Sequence, residues 1–311
     1  MTSSSRDSRN VEALGGAAPP CAGPLVNLIA PRVKLPAEAC DSHFHIFGPE
    51  TQYRYSADRV YTPPDCLLED YLSLHRSLGL TRCVLVQPSV YGSDNRALLD
   101  ALRSLGDAAR GVVVLSGEES VNELRDMDAL GVKGVRVNLV DLKKPSPDLP
   151  LDALMRLQER IFQFGWHLEL LVHVDQYPNL DEGLGSLEIP VVFGHMGYLT
   201  RGVSIDHPGM RSMLALMQAG RAWAKVTGPY RMGVGGAPYD TAAGITRWLA
   251  RNCIERMVWG SDWPHVMVKG EMPHDTDLLN AVTDWIPEED QQRAIFTTNP
   301  AELYQWGWSG E

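Results

Sequence analysis

Cysteine is scarce and irregular in this chain. Its 311 residues include five cysteines, at positions 21, 40, 66, 83 and 253, and no two stand in a Cys-x-x-Cys spacing. An odd number without that spacing argues against a disulfide framework and against a cysteine-based zinc site. A reducing, cytoplasmic setting is the natural reading. Basic residues are outnumbered too: 28 Lys and Arg against 39 Asp and Glu give a net charge of −11. That balance argues against general affinity for nucleic acid or for an anionic membrane surface. A small anionic ligand stays compatible with it, because a few arginines can reverse the field inside one pocket. No apolar run approaches the roughly 18 residues of a membrane-spanning helix. No Gly-x-Gly-x-x-Gly or Gly-x-x-x-x-Gly-Lys follows the first strand candidate, which removes the usual signs of a nucleotide-binding open sheet. There is no internal repeat and no linker, and nothing in the chain speaks to its oligomeric state.

What is present is ordinary in bulk and specific in detail. Apolar residues make up 44% and charged residues 22%, as in a soluble globular protein. Residues 1–35 differ from the rest: Met1–Pro20 is rich in Ser, Gly, Ala and Pro, lacks periodicity, and lacks the apolar core of a secretion signal. They read as a mobile tail, with Leu25–Ile29 packing on the barrel bottom.

From residue 36 to 311 the chain alternates. Short runs rich in Val, Ile and Leu mark strands at Ala39–Ile46, Arg82–Gln87, Gly111–Leu115, Gly134–Val140, Trp166–Val174, Pro190–Gly194, Ala222–Val226 and Met257–Gly260. Helical spacing marks Leu67–Leu78, Arg96–Leu105, Ser120–Leu130, Leu151–Phe164, Pro208–Ala219, Asp240–Asn252 and Asp275–Trp285. In the first helix, Leu67, Tyr71, Leu74 and Leu78 share one stripe. Strands alternating with helices predict a parallel sheet covered by helices. Eight such units predict an α/β fold of the (β/α)8 TIM-barrel type, a single domain, with an open doubly wound sheet as the runner-up. Gly233-Val234-Gly235-Gly236, after the seventh strand, reads as a flexible loop.

In a barrel the chemistry sits where strands end, and here polar residues gather at those ends. Asp41-Ser42-His43-Phe44-His45 places two histidines i, i+2 on one face of the first strand, where both could meet one metal ion or one bound carbonyl. The second strand runs into Gln87-Pro88-Ser89, the fourth carries Arg136 and Asn138, and the fifth holds His173. The sixth ends at His195, the seventh leads to Tyr230-Arg231, and the eighth ends in Ser261-Asp262-Trp263-Pro264-His265. Each has a plainer explanation: Asp262 could cap a helix, Arg136 could be a buried ion-pair partner, and His173, Asn138 and His265 singly read as structural. His75, His167, His207 and His274 lie on helices, early in a strand or in loops, and read as structural too. His43, His45, His195 and Asp262 together would converge at one barrel mouth, which chance rarely arranges.

The segments DSHFHIFGP, YRYSADRVYTPPD, VLVQPSVYGSDNRALLDAL, GVKGVRVN, VVFGHMG, VWGSDWPH and TTNPAELY resemble the amidohydrolase superfamily, in the branch that holds 2-pyrone-4,6-dicarboxylate lactonase and related lactone hydrolases. The resemblance covers nearly everything from 38 to 305. It implies hydrolysis of a small anionic lactone, carboxylated or sulfonated, in aromatic-compound catabolism. It implies Asp262 as general base on the water, and His43, His45 and His195 either polarising the lactone carbonyl or, with Asp262, holding a divalent metal such as zinc. It implies Arg136 and Arg231 on substrate carboxylates, with Tyr61 and Ser89 as further contacts. The chain departs from the pattern at three places. Lys143 stands near an expected second arginine and would lack its bidentate fork, Leu171 replaces a strand-five tyrosine, and His173 replaces an acidic residue. These changes lie in the substrate pocket, leave room for a muconolactone or sulfomuconolactone, and through His173 raise the case for a metal. A metal-dependent decarboxylase, a lactone isomerase and a catalytically silent ligand-binding barrel are the competing expectations.

Overall fold

The computed structural model describes residues 18–27, 29–141, 148–232 and 237–307. Eight strands appear: β1 (Cys40–Phe44), β2 (Arg82–Val86), β3 (Ala109–Val113), β4 (Val132–Asn138), β5 (His167–Leu171), β6 (Val191–Phe193), β7 (Ala222–Val226) and β8 (Met257–Trp259). They pair in the order β1 to β8, every register parallel. Their continuous apolar runs are what burial on both faces requires. The seam between β8 and β1 is held by two backbone bonds just beyond the strands: His45 N–H donates to Trp263 O, and Asp262 N–H donates to His43 O, both at 2.8 Å. The chain is thus a (β/α)8 TIM barrel.

The helices are α1 (Leu68–Leu78), α2 (Arg96–Leu105), α3 (Val121–Ala129), α4 (Leu151–Ile161), α5 (Leu180–Leu184), α6 (Pro208–Gln218), α7 (Asp240–Cys253), α8 (Asp275–Trp285), α9 (Glu289–Arg293) and α10 (Asn299–Leu303). Local chemistry sets their ends. Ser120 and Glu123 close a reciprocal cap at the start of α3. Pro208 opens α6 behind His207, whose Nδ1 accepts from Gly209 N–H. The expected seven helices are all found. The short α5, α9 and α10 were not foreseen, because five residues are too few to display a helical period.

Most strand bounds shift by one to three residues, and β5 ends at Leu171, so His173 follows that strand rather than standing in it. Two further expectations change. The first strand ends at Phe44 rather than Ile46, because the β1–β2 register shifts after Asp41 and the chain turns to pair Phe44 with Trp263. Leu25–Asn27 and Ile29 do not pack on the barrel bottom, and Leu28 lies outside the described residues. Pro20 pairs with Thr62 after β1, and Asn27 O and Ile29 O accept from His274 and Thr276 at the start of α8. From this mouth side the chain descends past Asn280 and Asp284, which hold Arg32, to enter β1 from below. The bottom is instead covered by the C-terminal segment, where Leu303, Tyr304 and Trp306 join Cys40, Val84, Val112 and Val258 in one buried cluster. Among the described residues no helix is long and apolar enough to cross a membrane.

Candidate active site

The strand ends and the loops after them bring His43, His45, His195 and Asp262 together under the barrel mouth. All are buried, 1%, 5%, 3% and 1% exposed respectively. The His43 and His45 rings meet edge to face at 4.9 Å, and the His43 and His195 rings lie 5.7 Å apart. His43 Nε2 and His45 Nε2 face Asp262 Oδ1 at 3.7 and 3.9 Å. The backbone bends to achieve this: His195 and Asp262 adopt φ of 48° and 63°, a region non-glycine residues occupy at a cost the surrounding fold must offset. Gly260 is required beside them, since a Cβ there would come within 2.6 Å of the His43 backbone N. Asp41 ties the same seam from beneath. Its carboxylate accepts from the His43 and Ser261 amides, the Ser261 hydroxyl and Tyr71, and burial still raises it to about 6.

Hydrogen bonds assign roles to individual atoms. His45 Nδ1 lies 2.7 Å from Val86 O. A carbonyl only accepts, so Nδ1 carries the hydrogen and the neutral ring offers its Nε2 lone pair to the mouth. His195 Nδ1 contacts the Thr227 hydroxyl at 2.7 Å, and the same oxygen accepts from the His195 backbone N–H. His43 Nδ1 is flanked at 3.3 Å by Glu169 and at 3.3 Å by Lys225. Burial, the largest influence on each, lowers the affinity of all three imidazoles for a proton, and holds His195 at about 3. Asp262 is different. Burial, the largest single influence, favours its neutral form, but the Arg231 guanidinium and the imidazoles of His195, His43 and His45 together outweigh it and keep the carboxyl well below its ordinary range. Its Oδ2 accepts from Tyr230 O–H at 2.6 Å and from Arg231 Nε–H at 2.8 Å. Among the described residues its Oδ1 has no hydrogen-bond partner, nor has His43 Nε2.

Those orphaned atoms bear on a metal. The ligand atoms of His43, His45 and Asp262 lie within 4.8 Å of one another. With one lone pair fixed at His45 Nε2 and a free carboxylate oxygen opposite, the set fits a divalent cation. His195, expected with them, is outside that cluster.

A cavity of about 240 Å³ opens above them, lined by His45, His195 and Asp262 and by the expected Tyr61, Ser89, Arg136 and Arg231. Arg136 donates one N–H to Gln87 O, while its Nε has no partner among the described residues. Arg231 is more committed than the sequence suggests: Nε serves Asp262 and Nη2 serves Val266 O. His173 is not brought to the cavity wall. Its Nδ1–H donates to Tyr198 O, and its ring packs on Tyr198, which does line the cavity. Asn138 holds its own turn through Val140, Asp141 and the Asp141 carboxylate. Lys143 and the Gly233–Gly236 cluster lie outside the described residues. Leu171 lines the cavity.

Sequence reasoning missed Tyr198 and Lys269 on the cavity wall, and Glu169 and Lys225 beneath His43. The last two carried a legible signal: a lone charge inside an apolar strand, as in LELLV and AWAKV, is seldom fully buried without a partner. Tyr198 and Lys269 sit in loops and carried no such signal.

Residues 40–306 match the amidohydrolase family described as Amidohydro_2. The chain is similar to a 4-sulfomuconolactone hydrolase of Hydrogenophaga intermedia, 32% identical over 92% of this chain and 95% of that one. It is similar to a 2-pyrone-4,6-dicarboxylate hydrolase of Comamonas testosteroni, 34% identical over 88% and 92%. Among solved structures it resembles a probable 2-pyrone-4,6-dicarboxylic acid hydrolase from Acinetobacter baumannii with citric acid bound, at a TM-score of 0.77 and 28% identity over 86% of this chain and 100% of that one. Strand ends that gather imidazoles around one aspartate, on a barrel matched from β1 to the C-terminal helix, make this chain a member of the amidohydrolase family.

Proposed function

We propose that the protein is a hydrolase that opens the ring of a small anionic lactone, carboxylated or sulfonated, in the breakdown of aromatic compounds. The observation that carries this reading is the Asp262 carboxylate: buried, ionised, one oxygen fixed by Tyr230 and Arg231, the other bare beside three neutral imidazoles. Lactone hydrolysis needs an activated water, a polarised carbonyl and a stabilised oxyanion. Asp262 Oδ1 accepts the proton of a water placed between it and the substrate. His195 is suited to the carbonyl: with Thr227 donating its single hydroxyl hydrogen to Nδ1, Nε2 keeps its hydrogen and points it at the developing oxyanion. Arg136, with Tyr61 and Ser89 beside it, pairs with the substrate anion and orients the ring. These supports also explain how a chain of net charge −11 takes an anionic ligand. The relatives named as lactone hydrolases support the substrate class.

His45 cannot donate from Nε2, which favours a ligand role for it. A divalent metal such as zinc, held by His43, His45 and Asp262, would supply Lewis-acid polarisation and a more acidic bound water. A neighbour of the same fold carries bound zinc. Five unpaired cysteines fit a cytoplasmic location.

The test is a panel of carboxylated and sulfonated lactones followed by NMR of the products, alongside elemental analysis of the purified protein. A ring-opened acid is expected. Carbon dioxide release would assign a decarboxylase, a product that is still a lactone would assign an isomerase, and binding without turnover would leave a silent barrel.

A further inference from the structure

We infer that His265 is a positioning residue for the Asp262 carboxylate, acting through Tyr230 and anchored at its far side by Asp275. The inference deepens the proposed reading, since it rests on Asp262 being the base. Tyr230 O–H lies 2.6 Å from Asp262 Oδ2, and a carboxylate can only accept, so the hydroxyl points its hydrogen at Asp262. The same hydroxyl oxygen sits 3.1 Å from His265 Nδ1, and His265 Nε2 lies 2.9 Å from Asp275 Oδ1. Asp275 also accepts, so Nε2 carries a hydrogen and the ring is pinned to a carboxylate on the first residue of α8; with the one Tyr230 hydrogen spent on Asp262, Nδ1 holds the phenol oxygen by donating a second ring hydrogen, and the Asp275 carboxylate balances the doubly protonated ring. His265 and Asp275 are 0% and 3% exposed, so bulk water does not substitute for either contact. The imidazole stands at 90° to the Tyr230 ring, which fixes the phenol's tilt as well as its oxygen.

The backbone gives this row a second link to the base. His265 N–H donates to Asp262 O at 2.9 Å, and both residues take positive φ. The four residues Asp262–His265 therefore form one tight turn whose first side chain is the base and whose last side chain braces the base's partner. A carboxylate free to rotate would present either oxygen to the mouth. With Oδ2 held by Tyr230 and Arg231, and Tyr230 held by His265, Oδ1 alone faces His43 and His45. A histidine that merely filled the core would need neither contact to be polar.

The test is a double-mutant cycle on kcat with the lactone that the wild-type protein turns over, supported by a crystal structure of the variant. His265→Ala is expected to lower kcat between about 10- and 100-fold, with KM held within about twofold. In a Tyr230→Phe background, where the link is already cut, the same substitution is expected to cost less than about threefold, because both act through one carboxylate. The crystal structure of His265→Ala is expected to show the Asp262 carboxylate turned from its native angle. Equal losses of kcat in both backgrounds, or an unmoved carboxylate with kcat intact, would overturn the inference. If His265→Ala fails to fold, His265→Asn and Asp275→Asn replace it. In His265→Asn the side-chain amide can still reach Tyr230, so this variant should keep more activity than Asp275→Asn, which loses the anchoring charge; the reverse order overturns the inference. Wild-type protein inert on every lactone sinks the hydrolase reading, and the crystal structure then decides the positioning role by itself.

Discussion

Lys225 Nζ lies 2.6 Å from Glu169 Oε2 directly beneath His43, with the two side chains 0% and 2% exposed. The lysine also donates to Ser42 O at 2.8 Å and approaches His43 Nδ1 at 3.3 Å, while Glu169 Oε1 lies 3.3 Å from the same nitrogen. Burial pulls the lysine down and works against the glutamate, yet each holds the other charged, and Glu169 stays well below its ordinary range. Removing one partner leaves an uncompensated buried charge. Lys225→Met is therefore expected to lower stability by about 3–5 kcal/mol, measured by urea unfolding. Lys225→Met with Glu169→Leu should recover most of that stability while kcat stays low, because nothing then orients His43. A double variant with full activity would show that the pair does not set the His43 ring.

Asp262→Asn is expected to lower kcat by about a thousandfold, within the range a general base supplies, with the melting temperature little changed. The amide keeps the shape and an oxygen for Tyr230, but it cannot take a proton. Steady-state kinetics beside a thermal melt checks both halves, and retention of most activity removes the assigned base.

The two arginines should separate kinetically. Arg136 faces the cavity with an unpartnered Nε, so Arg136→Met is expected to raise KM far more than it lowers kcat. Arg231 holds Asp262 Oδ2, so Arg231→Met is expected to lower kcat as well, by freeing and partly neutralising the base. Identical kinetic signatures for the two would contradict this division.

His167 makes the stability pH-dependent. Burial, the first cause, pushes it down to about 3, against about 6.5 for an unfolded histidine. A depressed folded value means the stabilisation is complete above about pH 6.5 and is lost progressively as pH falls towards 3. At pH 5 the loss assigned to this one ring is about 2 kcal/mol. Urea unfolding of wild type and His167→Gln at pH 7.5 and pH 5 checks it: the variant should show the shallower fall, and parallel falls count against it.

Much of the site could be read along the chain because its positions are local. His43 and His45 are two residues apart, and His195 and Asp262 each follow an apolar run that the eye can find. Alternation of strand and helix determined the barrel, all eight strands, seven helices and the place where chemistry had to lie. What lay beyond reach depended on which side chains meet across the barrel. Arg231 and Asp262 come from successive strand ends, and their ion pair ties an arginine expected to hold substrate to the carboxylate proposed as the base. His173 stands in line with the site residues yet turns to Tyr198 O. Lys225 finds Glu169 across the interior, and His265 finds Tyr230 and Asp275 on two different elements. The sequence by itself determined the strand ends that carry His43, His45, His195 and Asp262 to the mouth, since strand period and burial act within a few residues of each position. Only the closed barrel decided which atom faces which, because hydrogen-bond direction and the affinity for protons are set by partners that the chain brings together from opposite ends.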